Sequence, residues 1–153
     1  MKKILLAAAL AAAAYFATVP GRVPLEHQQP AGVAGASSSV GDSADALLEN
    51  AFESRISNLQ VSGQGTVVRV LPDDTRGSRH QRFIVRLGSG RTLLVAHNID
   101  LAQRIDALQA GDAVAFYGEY EWNPKGGVIH WTHHDPHGRH PAGWIKRDGK
   151  MYQ

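Results

Sequence analysis

The sequence predicts an all-β protein, a small barrel with one or two helices, and three observations carry that expectation. Near residue 60 the apolar residues change from helical spacing to alternation. Beyond that point come five β-branched or alternating runs, separated by clusters of Gly, Pro, Asn and Asp. A helical pattern falls between the third run and the fourth.

From the N-terminus, Lys2-Lys3 and the apolar stretch Ile4–Val19 read as a secretory leader, residues 1–19. The stretch is Ala-rich and shorter than the about 20 apolar residues that a membrane span needs. Cleavage is therefore the first expectation, and an uncleaved N-terminal anchor is the alternative. Either puts the domain outside the cytoplasm: in the periplasm, secreted, or tethered to the inner membrane. Residues 20–41 hold Pro20, Pro24, Pro30 and Ser37-Ser38-Ser39 and read as a flexible linker, too poor in apolar surface to offset ordering entropy. Leu48, Phe52, Ile56 and Leu59 then recur at helical spacing. They predict an amphipathic helix over residues 42–59, capped by Asp42 or Ser43 and laid against the barrel.

The strands follow. Thr66–Leu71 is β-branched, opened by Gly63 and Gly65 and closed by Pro72-Asp73-Asp74. In Arg82–Leu87, Phe83, Val85 and Leu87 share one face and Arg82, Ile84 and Arg86 the other. Gly88-Ser89-Gly90 makes a hairpin to Thr92–His97. Asn98 or Asp100 would cap a helix carrying Leu101, Ile105 and Leu108 on one face, with Gly111 ending it. Ala113–Trp122 and Val128–His134 complete the barrel, and Trp144–Lys146 and Lys150–Tyr152 around Asp148-Gly149 form a terminal hairpin. Three strands, a helix and two strands is the order of a five-stranded OB-fold, here over residues 61–153.

Gly63-Gln64-Gly65, the run Gly118-Glu119-Tyr120-Glu121-Trp122 and the run His130-Trp131-Thr132-His133-His134-Asp135-Pro136 resemble an uncharacterised family of small exported bacterial OB-like proteins. The resemblance covers most of residues 45–153. It implies an exported OB-like domain, and it brings neither an activity nor a catalytic residue with it.

Composition removes several classes of chemistry. Cysteine is absent, so disulfides, thiolate metal sites, a cysteine nucleophile and a lipidated N-terminal cysteine are all excluded. Without Lys2 and Lys3 the 16 basic residues become 14, equal to the 14 acidic ones. Global basicity therefore disappears with the leader, while local asymmetry remains. Residues 69–91 hold Arg69, Arg76, Arg79, Arg82, Arg86 and Arg91 against Asp73 and Asp74, and residues 42–53 hold Asp42, Asp45, Glu49 and Glu53 without a base.

Two clusters carry candidate chemistry. Five of the eight histidines lie in the eleven residues from His130 to His140. Strand alternation would turn Ile129 and Trp131 to the core and leave His130 and His134 outward, with Cα atoms about 6.5–7 Å apart. Two imidazoles at that spacing reach one ion, and Asp135 and His137 could fold back to complete a zinc or copper site. The bland alternative is a polar loop of histidines that bond backbone and titrate. The second cluster is Arg79, His80, Arg82, Arg86 and Arg91, on the face by which OB-folds take single-stranded nucleic acid. Forked guanidinium donors suit phosphate, while a solvated strand face paired with Glu119 and Glu121 needs no ligand.

Three functions follow as expectations. The first is an exported binding module that contacts single-stranded nucleic acid or another polyanion. The second is a metal-dependent phosphodiesterase or nuclease with Glu119 or Glu121 as base. The third is an envelope structural or stress protein whose surface binds a protein partner. Neither a Gly-rich phosphate loop nor a Gly-x-Ser-x-Gly elbow is present, which leans toward binding.

Overall fold

Every second residue is buried along His80–Arg86, Thr92–Asn98, Ala113–Glu121 and Val128–His130, and that alternation gives each of these strands one face for the core. The computed structural model describes residues 36–153, so the leader expected at 1–19 and the linker up to residue 35 lie outside the described residues. The elements are α1 (Ala36–Glu53), β1 (Leu59–Asp74), β2 (His80–Arg86), β3 (Thr92–Asn98), β4 (Ala113–Glu121), β5 (Val128–His130), β6 (Trp144–Arg147) and β7 (Lys150–Tyr152). Their order in the sheet is β1-β2-β3-β5-β4, and β4 pairs back onto β1 to close a five-stranded ring. β3 and β5 run parallel, and the other pairs are antiparallel. This is the OB-type barrel.

β1 makes the closure possible by serving two partners. Leu59–Thr66 pairs with β4, and Thr66–Asp74 with β2. At the turning point a Cβ on Gly65 would collide with the Arg86 carbonyl oxygen and the Val85 side chain, so the corner admits only glycine. Register shifts between Val67 and Arg69 and between Leu71 and Asp74 add the curvature that a closed sheet requires. The core inside comprises Val61, Val67, Phe83, Val85, Leu93, Val95, Val114, Phe116, Tyr120 and Ile129, with Ile145 and Tyr152 from the terminal hairpin. Burying one such side chain stabilises by about 1.5–3 kcal/mol.

α1 covers the barrel through Leu48 and Ala51, both buried. Polar contacts fix it: the Asp45 carboxylate accepts the Ser89 N–H at 2.8 Å, and Trp122 Nε1–H donates to the Phe52 carbonyl at 3.0 Å. Arg91 pairs with Glu49 and places its guanidinium 4.0 Å from the centre of the Phe52 ring. The expected helical limits of 42–59 shift N-terminally. The last residues of the expected linker, from Ala36, belong to the helix, because serine costs only about half a kcal/mol against alanine in a helix. The helix stops early because Arg55 is left-handed, at φ 55°. Ile56 N–H bonds the Ala51 carbonyl and Arg55 N–H that of Phe52, which is the Schellman pattern. Leu59 accordingly opens β1 instead of ending the helical stripe.

The helix expected between β3 and β4 does not form. One turn begins, with Ala102 N–H on the Asn98 carbonyl at 3.1 Å. Side chains from the barrel then take the backbone groups that a helix would pair. Buried Gln81 bonds Ile105 twice, Nε2 to its carbonyl and Oε1 from its N–H, each at 2.9 Å. His97 Nε2 donates to the Gln103 carbonyl at 3.1 Å, and Ala107 at φ 52° bars further winding. Ile105 still reaches the core, so its apolar role is as read and its local conformation is not. The terminal hairpin forms at the expected turn, with Asp148 at φ 50° and Gly149 at φ 78° as a two-residue type I′ turn wants. None of the described helices is long and apolar enough to cross a membrane.

Candidate metal centre

The site begins with a cross-strand pair. At the end of β4 Gly118 and Tyr120 face inward, as Val114 and Phe116 do before them, which turns Glu119 and Glu121 outward. β5 lies antiparallel beside them, His130 opposite Glu119 and Val128 opposite Glu121. One ligand atom from each of Glu119, Glu121 and His130 lies within 4.8 Å of the others. His130 Nε2 approaches Glu119 Oε1 to 3.4 Å, yet it is buried and makes no hydrogen bond. Partial burial lowers the His130 pKa, against the pull of Glu119 and Glu121 that raises it. The neutral imidazole this favours is the form that binds metal.

The chain then turns back over β4. Trp131 is left-handed at φ 52°, and β5 ends at His130. Thr132 Oγ1 lies 2.8 Å from His97 Nδ1, and Gly143 N–H bonds the His133 carbonyl at 3.0 Å. A Cβ on Gly143 would collide with the carbonyl oxygens of Trp131 and Tyr117, so glycine lets the returning chain pass this close. Between these ties, the Asp135 carboxylate accepts the backbone N–H groups of His137, Arg139 and His140 at 2.9, 2.7 and 3.0 Å. Those bonds, His137's first, hold the Asp135 pKa below the usual carboxylate value.

The turn delivers His140 to the carboxylates. Its Nε2 lies 2.8 Å from Glu119 Oε2, and its ring stacks on Trp131 with centroids 4.2 Å apart and planes 8° from parallel. Desolvation lowers the His140 pKa, but the hydrogen bond to Glu119, the Pro141 carbonyl and the charge of Glu119 outweigh it, and the net shift is upward. A recess of about 350 Å³ opens beside the cluster, lined by Asp74, His80, Arg82, Leu94, Ala96, Glu121, Val128 and His130.

A family profile described as a protein of unknown function, DUF3465, matches residues 33–153. The chain belongs to the DUF3465 family. Among curated proteins there is no match.

In this DUF3465 domain, His130 stands with Glu119 and Glu121, the two residues expected as candidate bases, while the other three residues expected as ligands do not join them. The expected alternation through His134 fails because the strand ends at His130, and Trp131 is half-buried instead of facing the core. His134 is exposed. Asp135 gives both carboxylate oxygens to backbone N–H groups, and His137 is exposed with its amide on Asp135. His140 was not among the expected ligands. The signal for it was Asp135-Pro136-His137-Gly138, a turn sequence that reverses the chain just before it.

The arginine cluster is largely engaged within the DUF3465 domain itself. Arg79 bonds Asp100 through its backbone N–H and its Nε, both at 2.7 Å. Arg82 donates to the Pro72 carbonyl from Nε and Nη2, with Asp74 at 3.9 Å. Arg91 pairs with Glu49, and His80 Nδ1 is 2.8 Å from the Ser78 carbonyl. Exposed Arg86 borders a separate cavity of about 580 Å³ lined by Gln64–Thr66, Leu87, Gly88 and Ala113–Ala115. Tyr117 packs on Trp144, with ring centroids 6.3 Å apart.

Proposed function

We propose that this domain is a metal-binding module that holds one divalent transition ion, zinc or copper, at Glu119, Glu121 and His130 on the outside of an OB barrel. The observation that carries the reading is the convergence of those three ligand atoms within 4.8 Å, on two strands held in fixed register. Imidazole nitrogen and carboxylate oxygen suit zinc at about 2.0–2.2 Å, and imidazole suits copper equally. Lys2-Lys3 and Ile4–Val19 support export, so the ion would be bound outside the cytoplasm.

The test is metal content of tag-free protein purified from its native compartment, with Glu119→Gln and His130→Ala beside the wild type. Near-stoichiometric zinc or copper in the wild type, lost in both variants, is the expected result. Metal-free, folded wild-type protein that takes up neither ion on dialysis would sink the reading.

A polyanion contact is the second reading, and exposed Arg86 beside its cavity is what favours it. Single-strand binding usually adds aromatic stacking. The outward residues Ile84, Leu94, Ala96 and Val128 instead make an aliphatic floor. Binding to a single-stranded oligonucleotide that weakens steeply with salt, at a log–log slope of about −0.7 per phosphate contacted, would restore that reading. Hydrolysis at the ion would need a coordination position left open for water.

A further inference from the structure

We infer that His140 is a further ligand of this ion, which makes the centre a closed one of two imidazoles and two carboxylates; the inference rests on the metal reading above. The argument begins with the tautomer. His140 Nδ1 lies 2.9 Å from the Pro141 carbonyl oxygen, which can only accept, so Nδ1 carries the hydrogen. A metal-binding histidine typically donates its other ring N–H in this way, to a backbone carbonyl or a carboxylate. Nε2 donates to the Glu119 carboxylate in the metal-free protein, and it is the nitrogen that would exchange that proton for the ion.

Glu119 is flanked on both sides. His140 Nε2 is 2.8 Å from Oε2, and His130 Nε2 is 3.4 Å from Oε1. The position of the His140 ring is built rather than incidental. Trp131 stacks flat against one face, and the Asp135 turn fixes the backbone at residue 140 through its own N–H. Thr132 and Gly143 tie down the two ends of the segment. His140 Nε2 stands outside the 4.8 Å set of Glu119, Glu121 and His130, so the ring would shift toward them as the ion binds, within a segment whose ends stay tied.

The ligand count decides the chemistry. Three protein ligands leave a position for water and suit hydrolysis; four close the coordination sphere and suit a structural or sequestering site. With His140 bound, Glu119 is a ligand and not a base. Retention of the ion becomes the role of the centre, and the 131–143 segment becomes the strap that closes it.

The experiment is a zinc titration of the folded domain in wild type, Glu119→Gln, His140→Ala and His134→Ala. Circular dichroism confirms that each variant folds. Losing a hydrogen-bond partner of a ligand costs about 10–100-fold in metal affinity, and losing the ligand itself at least as much. His140→Ala is therefore expected to weaken zinc binding by roughly 100-fold, and His134→Ala to leave it unchanged. A second measurement needs no variant: the ¹⁵N resonance of His140 Nε2 in the wild type should move as zinc is added. Folded His140→Ala with zinc affinity within roughly twofold of wild type, or an unmoved His140 Nε2 resonance in the zinc-loaded protein, overturns the inference. If Glu119→Gln still abolishes binding in that case, the metal reading survives. A wild type that binds no zinc or copper removes both.

Discussion

His97 shows what a single buried side chain can impose on this protein. It is fully buried, and burial pushes its pKa down to about 4, against the opposing hydrogen bonds to Gln103 and Thr132. The Gln103 carbonyl can only accept, so Nε2 carries the hydrogen and Nδ1 accepts from the Thr132 hydroxyl. The neutral ring thus ties β3 to the 99–112 connection and to the strap. The unfolded chain binds a proton at this residue near pH 6.5, while the folded one does not until about pH 4. Its stabilising contribution is therefore whole above pH 6.5 and falls as the pH drops through that window, by about 3 kcal/mol in all. His130 shifts in the same direction and His140 in the opposite one, so comparison with a folded His97→Gln variant isolates the term. Urea unfolding at pH 7 and pH 4.5 should show a steeper loss in the wild type than in the variant. Equal pH dependence would mean that this ring is not the group that titrates.

At the scale of elements, the connection between β3 and β4 depends on Gln81. Apolar spacing marked Leu101, Ile105 and Leu108 as a set, of which Ile105 is buried, Leu108 packs on the core and Leu101 is exposed, and spacing does not say where the backbone hydrogen bonds go. A buried amide two strands away supplies them to Ile105, and no local pattern announces it. Gln81→Leu would strand an N–H and a carbonyl, at about 1–3 kcal/mol each. Hydrogen exchange should then quicken at the Ile105 amide while the β2–β3 ladder keeps its protection. Unchanged exchange would move the support of that loop elsewhere. The strap has the same logic. The outward position of His130 was legible from alternation alone, whereas Glu119 and Glu121 became its neighbours only through the β4–β5 register, and His140 reached Glu119 only through the Asp135 turn.

For the whole molecule, α1 acts as part of the barrel domain. Removing it would uncover core beneath Leu48 and Ala51, leave the Ser89 N–H and Trp122 Nε1–H without partners, and free Arg91 from Glu49. A chain beginning at Ser57 should lose at least about 3 kcal/mol, read as a lower urea midpoint. An unchanged midpoint would make α1 an independent appendage. The metal reading has a consequence at this scale too. An ion that binds the folded state alone stabilises it by about 2.7 kcal/mol at 100 times its Kd. The thermal midpoint should rise with added zinc in the wild type and stay flat in Glu119→Gln.

The sequence by itself determined the all-β class, the strand count, the terminal hairpin and the strand faces that build the core. These rest on local alternation and turn residues, and those act over a few positions: Phe83 and Val85 face inward for the same reason that Asp148-Gly149 turns. Tertiary structure alone decided where α1 stops, why residues 99–112 do not wind into a helix, and which histidines meet which carboxylates. Each of those outcomes turns on a backbone group or carboxylate whose partner lies far along the chain: Gln81 for Ile105, Phe52 for Trp122, Glu119 for His140. Spacing within a segment records which face a residue takes, and only closure of the barrel records what that face meets.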